Sequence, residues 1–150
     1  MLTTRFTTET YLENSRYRET NNIICVYSVS LPISDKLPVK NYYVIEMNNS
    51  INKIMGIGVI SKNLYPVNQI YTNRYYNRYT YKGKKHFKFH DLTTGTLLSE
   101  ENEKLILIIE KKIFYGKGHL KRGSSKTSFP LYPHVEYIDD LIKICNTINL

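Results

Sequence analysis

Tyr42-Tyr43-Val44-Ile45-Glu46-Met47 and Lys53-Ile54-Met55-Gly56-Ile57-Gly58-Val59-Ile60 flank the turn-forming Asn48-Asn49-Ser50-Ile51-Asn52. Two β-branched, apolar runs joined by five such residues read as a β-hairpin, the clearest supersecondary unit in the chain. Gly56 and Gly58 alternate with Met55, Ile57 and Val59. One face of the second strand therefore lacks side chains along part of its length, and a backbone, a helix or a flat ligand can approach closely there.

Working toward the N-terminus, Ile23-Ile24-Cys25-Val26-Tyr27-Ser28-Val29-Ser30-Leu31 reads as another strand, closed by Pro32. Residues 1–21 read as a polar helix or ordered arm, with Thr8 as an N-cap. Toward the C-terminus, residues 63–74 lose periodicity and read as a loop. Tyr75 to Tyr81 and His86 to His90 then read as a second hairpin across Lys82-Gly83-Lys84-Lys85. Ser99 caps a helix over 99–115, with Glu100, Glu101 and Glu103 in its first turn and Gly116 as its stop. A basic, glycine-containing loop spans 116–133. The apolar stripe Val135, Ile138, Leu141, Ile142, Cys145 and Ile148 then predicts a closing helix over 134–148.

Strands first, helices last and hairpin connections predict an α+β fold: a small curled antiparallel or mixed β-sheet or barrel with flanking helices. The 150 residues suit one domain with one core. Lys, Asn, Ile and Tyr supply 60 of those residues, and Ala and Trp are absent. Such a composition carries the stamp of AT-rich codons, so the net charge of +8 is weighed by where the charges fall. No signal-peptide h-region or apolar run of membrane-spanning length is visible, which predicts an unsecreted protein without a membrane partner. Cys25 and Cys145 lie in apolar patterns and read as buried free thiols.

Twelve of the 21 basic residues fall within 74–90 and 111–126, against about five for even spacing, and neither segment holds an acid. In the first, Arg74, Arg78, Lys82, Lys84, Lys85 and Lys88 interleave with Tyr75, Tyr76, Tyr79 and Tyr81. Cations on phosphates with tyrosines stacked on bases are a common way of holding single-stranded nucleic acid. The competing reading is half-buried strand tyrosines and a solvated lysine face. In the second segment, Gly116, Gly118 and Gly123 surround Lys117, His119, Lys121 and Arg122. Free backbone N–H groups and cations suit an anion such as phosphate, although the order of a Walker A loop is missing. The competing reading is a helix cap and an exposed turn. His86 and His90 share a strand face without a third ligand, so no metal or other cofactor is expected. His119 has no paired carboxylate or nucleophile near it in sequence, and catalysis is not expected.

The stretches Tyr43 to Asn49, Asn52 to Ile60, Tyr76 to Gly83 and Tyr115 to Ser124 together resemble a group of small uncharacterised proteins of large nucleocytoplasmic DNA viruses. That resemblance implies a location inside the host cell, in the cytoplasm or virus factory or packaged in the virion, and no established activity. More distantly, the Gly-containing strand of the 42–60 hairpin looks like part of the PUA-like superfamily, which includes EVE and YTH domains. There, a curled barrel with flanking helices binds RNA or modified bases.

The expected function is therefore non-enzymatic binding of single-stranded RNA or DNA by Arg74, Tyr75, Arg78, Tyr79, Lys84, Lys85, Lys117, Gly118, His119, Lys121 and Arg122. The alternative is a virion structural or protein-interaction role. Self-association is left open.

Overall fold

A computed structural model describes residues 1–33, 41–66, 69–117, 119–121 and 135–148. The chain runs β1 (Leu2–Phe6), α1 (Thr8–Asn21), β2 (Cys25–Val29), β3 (Asn41–Asn48), β4 (Lys53–Ser61), a 3-10 turn (Arg74–Asn77), β5 (Tyr79–Gly83), β6 (Lys85–Lys88), β7 (His90–Asp91), β8 (Gly95–Thr96), α2 (Glu100–Phe114), a second 3-10 turn (Val135–Tyr137) and α3 (Ile138–Ile148). This is an α+β architecture with mixed pairing. One sheet has the order β1-β3-β4-β6, while β2 pairs with β5 and β7 with β8.

The 42–60 hairpin forms as its residues predict. β3 and β4 pair antiparallel, with Tyr43 opposite Val59 and Ile45 opposite Ile57, and a register shift after Glu46. β1 adds to β3 in parallel. This strand escapes sequence reading because Leu2-Thr3-Thr4-Arg5-Phe6 is too polar and too short to show an apolar pattern.

The second hairpin does not form. β5 and β6 are separated by Lys84 alone and do not pair with each other. Instead β5 pairs with β2, placing Tyr81 opposite Tyr27, and β6 pairs with β4, placing His86 opposite Gly58. One nearly continuous strand thus passes from one partner to the next. At the junction Gly83 lies so close to β4 that a Cβ there would sit 1.7 Å from the Val59 carbonyl oxygen. Lys82-Gly83-Lys84-Lys85 has the composition of a turn, yet its glycine serves backbone contact between strands.

Alternation along β3 and β4 divides the core in two. Leu2, Tyr11, Val26, Tyr27, Val44, Met55, Ile60 and Tyr81 form one cluster beneath α1. Ile45, Met47, Ile54, Ile57 and Phe87 join Ile106, Ile109, Ile113, Leu141 and Ile144 of α2 and α3 on the opposite face. α1 has almost no apolar stripe and is held by polar contacts: Asn14 donates to the Val26 carbonyl (2.7 Å) and to the Tyr71 hydroxyl (2.9 Å). Its N-cap is Thr7, one residue before the expected Thr8, and Thr7 and Thr10 cap each other reciprocally.

The expected barrel does not form: the strands fall into separate sheets, and no ladder joins β1 to β2 among the described residues. α2 begins at its Ser99 cap, as the acidic first turn predicts, and Cys25 and Cys145 are buried free thiols. Burial pushes both thiols up to about 12. No described helix is long and apolar enough to cross a membrane.

Candidate functional site

The basic tyrosine face is built on the Arg74–Asn77 turn. Asn73 caps it by accepting from the Tyr75 amide (3.1 Å). Asn77 stitches it to the core: its Oδ1 accepts from the Ile70 and Tyr71 amides, both at 2.9 Å, and its Nδ2 donates to the Tyr71 carbonyl at 2.7 Å. With Ile70 and Tyr71 buried beneath, the turn directs Arg74, Tyr75, Tyr76 and Arg78 outward. Tyr75 is 73% exposed and Tyr76 44%.

The other two interleaved tyrosines turn inward. Tyr79 is half-buried against the first core cluster, and Tyr81 is buried, its hydroxyl accepting from the Ile33 amide at 2.9 Å. The structure divides the interleaved tyrosines: strand alternation takes Tyr79 and Tyr81 toward the core, whereas the irregular turn leaves Tyr75 and Tyr76 exposed. Lys82, Lys84 and Lys85 are exposed along β5 and β6, and the Lys82 ammonium stands 4.1 Å from the Tyr65 ring centroid.

Residues 116–121 follow the end of α2. Gly116 adopts φ +79°, where a side chain would be strained, and the Leu120 amide bonds back to the Ile113 carbonyl at 2.7 Å. Two further carbonyls of this segment are occupied from the sheet: Arg5 Nε donates to the Leu120 carbonyl and Asn49 Nδ2 to that of Lys121 (3.0 Å). Lys117 is exposed, while His119 and Lys121 are half-buried. Gly118 and Arg122, with most of the expected 116–133 loop, lie outside the described residues.

The tyrosine turn and Lys121 are anchored beyond opposite ends of β4, while Lys85 and Lys88 of the first segment lie along it, opposite Val59 and Gly56. Asn49 ties Lys121 to the β3–β4 turn at one end of β4. Beyond the other end, the Tyr65 amide bonds the Thr80 carbonyl beside the tyrosine turn. Nine residues of β4 separate these anchors, roughly 26 Å at about 3.3 Å per residue.

The glycine face of β4 is filled by a buried polar chain. The Tyr27 hydroxyl donates to Glu46 Oε2 at 2.8 Å, and Glu46 Oε1 lies 2.9 Å from His86 Nε2. A Cβ at Gly58 would stand 2.1 Å from the Tyr27 hydroxyl oxygen, and one at Gly56 would stand 2.9 Å from Glu46 Oε1. The two glycines thus make room for an aromatic ring and a carboxylate. Burial raises the Glu46 pKa, but the charge and hydrogen bond of His86, the charge of Arg18 and the Tyr27 hydroxyl outweigh it and hold the carboxyl below its usual value. An ionised carboxylate only accepts, so His86 Nε2 carries the proton, and Nδ1 is the ring nitrogen left for a ligand.

His86, with its side chain 10% exposed, lines a groove of about 490 Å³ between α1 and β6–β7. Arg18 and Lys88 line it as well, with Leu12, Ile23 and Leu92 among its apolar residues. Arg18 donates to the Ile24 carbonyl (3.3 Å) and to Ser15 Oγ (3.2 Å), and its Nε is buried without a hydrogen-bond partner. The Lys88 ammonium pairs with Asp91 at 2.8 Å. Among the described residues no group of three or more His, Cys, Asp or Glu side chains is placed to hold a metal ion.

Sequence reasoning assigned no role to Glu46 or Arg18, counted Lys88 only among the cations of the tyrosine segment and considered His86 only as a metal ligand. The available signal was a lone acid inside the apolar run Tyr42–Met47, beside a strand whose glycines remove one face. No family model, curated protein or solved structure matches the chain.

Proposed function

We propose that the chain is a non-enzymatic binding domain for single-stranded nucleic acid, RNA or DNA. The observation that carries this reading is the rigid turn presenting Tyr75 and Tyr76, both exposed, between Arg74 and Arg78. Exposed rings supply a sequence-tolerant stacking surface, and neighbouring cations neutralise phosphates. Lys82, Lys84 and Lys85 continue the cationic track along β5 and β6. Stacking is assigned to Tyr75 with Tyr76 rather than to Tyr79, whose ring packs on the core. Lys117 and Lys121 stand apart from this track. A PUA-like relationship and an origin among large DNA viruses belong to the same reading and rest on the residue resemblances above alone. With no Trp in the chain, any base must stack on Tyr or Phe.

Fluorescence anisotropy with a labelled oligothymidylate or oligouridylate tests the proposal. Tyr75→Ala is expected to cost about 1–3 kcal/mol of binding. Arg78→Ala is expected to weaken binding and reduce the slope of log affinity against log salt by about 1. Absence of binding at low salt, or wild-type affinity in both folded variants, overturns it.

A further inference from the structure

The geometry points to a second, separate ligand site: the groove between α1 and β6–β7 binds a phosphate monoester through Arg18, His86 and Lys88, with its organic body against Leu12 and Ile23. The site does not use the tyrosine face, and its reasoning does not rest on nucleic-acid binding.

Two cationic donors, Arg18 and Lys88, and His86, whose Nδ1 donates when the imidazole is protonated on both nitrogens, line this groove from different elements. Arg18 comes from α1, whereas His86 and Lys88 occupy alternate positions on β6 and so project to one side of that strand. The Arg18 guanidinium donates to the Ile24 carbonyl and to Ser15 Oγ, interacts with the Tyr11 hydroxyl and lends its charge to Glu46, but makes no salt bridge among the described residues. Its Nε is a buried charged donor left unsatisfied, a state that costs free energy until an acceptor arrives. His86 is oriented from behind by Glu46, itself braced by Tyr27, so the imidazole has one fixed pose with Nδ1 free. Neither acid lining the groove, Asp91 or Glu19, nor Glu46 behind His86 hydrogen-bonds Arg18 among the described residues, although the Arg18 charge acts on Glu46. Glu46 is engaged by Tyr27 and His86, Asp91 is engaged by Lys88 and by the Thr93 and Thr94 amides, and Glu19 is exposed at the rim.

The ligand class follows from the donor set. A carboxylate can itself accept from three donors, as Asp91 does, but it brings a single negative charge. A phosphate monoester brings up to two, with three free oxygens, to the Arg18 guanidinium and the Lys88 ammonium, so charge rather than oxygen count favours it. Its fourth oxygen carries the organic group. The volume, about 490 Å³, lies in the range of small-molecule sites rather than of a single ion. Leu12 and Ile23 give the organic part an apolar wall.

The experiment is a titration of the whole chain with phenyl phosphate, followed by calorimetry and by the imidazole nitrogen resonances of His86, with benzoate and inorganic phosphate as comparison probes. Phenyl phosphate is expected to bind with a shift at His86 Nδ1, at least about tenfold more tightly than benzoate or inorganic phosphate. Arg18→Gln is expected to weaken it about tenfold or more. Leu12→Glu, at a solvent-facing position on α1, places a negative charge on the wall and is expected to abolish binding even if Arg18→Gln does not fold. Arg78→Ala is expected to leave it unchanged, which separates this site from the nucleic-acid interface. No binding of phenyl phosphate, equal binding of benzoate, or wild-type affinity in folded Arg18→Gln or Leu12→Glu overturns the inference.

Discussion

Glu46 shows what a single buried acid does here. It is 1% exposed on a central strand, yet remains ionised because Tyr27, His86 and Arg18 together compensate its lost hydration. Its pKa is lower folded than unfolded, so the unfolded chain binds its proton more readily. The carboxylate therefore contributes stability above the ordinary value of 4.5, and that contribution is lost as pH falls through the lower folded value. Glu110 has the opposite sign. Burial raises its pKa against the Ile54 amide and Lys53, which both bond it, so its contribution falls as pH rises through that range. Urea midpoints measured for wild type and Glu46→Gln on either side of pH 4.5 check the first statement. Glu46→Gln is expected to be less stable near neutrality, since its amide cannot accept from both Tyr27 and His86, and to lose part of the acid-side decline. Equal declines in both proteins would place the acid sensitivity elsewhere.

At the scale of elements, β2 is the strand whose position is least apparent from its own residues. It pairs only with β5, yet Tyr27 lies across Gly58 of β4 and reaches Glu46 of β3. Gly58 is what permits this packing, and Gly58→Ala tests it. The added carbon would meet a ring whose hydroxyl is already fixed by Glu46, so relief requires moving β2 or breaking that bond. A loss of about 1–3 kcal/mol is expected in urea unfolding, of the size seen on overpacking a core. An Ala variant as stable as wild type would mean that β2 does not press on β4. The β3–β4 hairpin was legible because its pattern and its turn agree. α1 was only half legible: a threonine cap was expected at Thr8 and lies at Thr7, which Thr10 caps in return, and the helix is anchored by Asn14 and by Glu13, which accepts from the Thr72 hydroxyl at 2.8 Å, polar anchors that leave no periodic stripe.

For the whole molecule, the separation of Lys121 from the tyrosine turn has a measurable consequence. At about 0.15 M salt, charges more than roughly 8 Å apart are largely screened, so cations at the far end of β4 add little to binding at the tyrosine face. The double variant Lys117→Ala, Lys121→Ala is expected to bind a short oligothymidylate within about twofold of wild type. The pair Arg74→Ala, Arg78→Ala is expected to weaken binding about tenfold or more. Comparable losses in both would show that the strand spans both ends of the fold, and a single interface would have to be abandoned.

Local rules alone account for the α+β class, the 42–60 hairpin, the Ser99-capped helix, the closing apolar helix and the buried thiols, because each is decided by neighbours in sequence: alternation, capping and helical periodicity. The clustering of cations was visible in the same way, but the tyrosine turn was not: Tyr75 to Tyr81 read as a strand, whereas Arg74–Asn77 form a 3-10 turn. Which tyrosines face water, which strand β5 joins and where the two basic segments lie depended on pairings between residues dozens of positions apart, for which the local sequence carries no register. The groove is the clearest case. Arg18, Glu46 and His86 stand on a helix and two strands, and only the pairing of β3 and β6 with the glycine face of β4, beside α1, brings a buried carboxylate, an oriented imidazole and a guanidinium together.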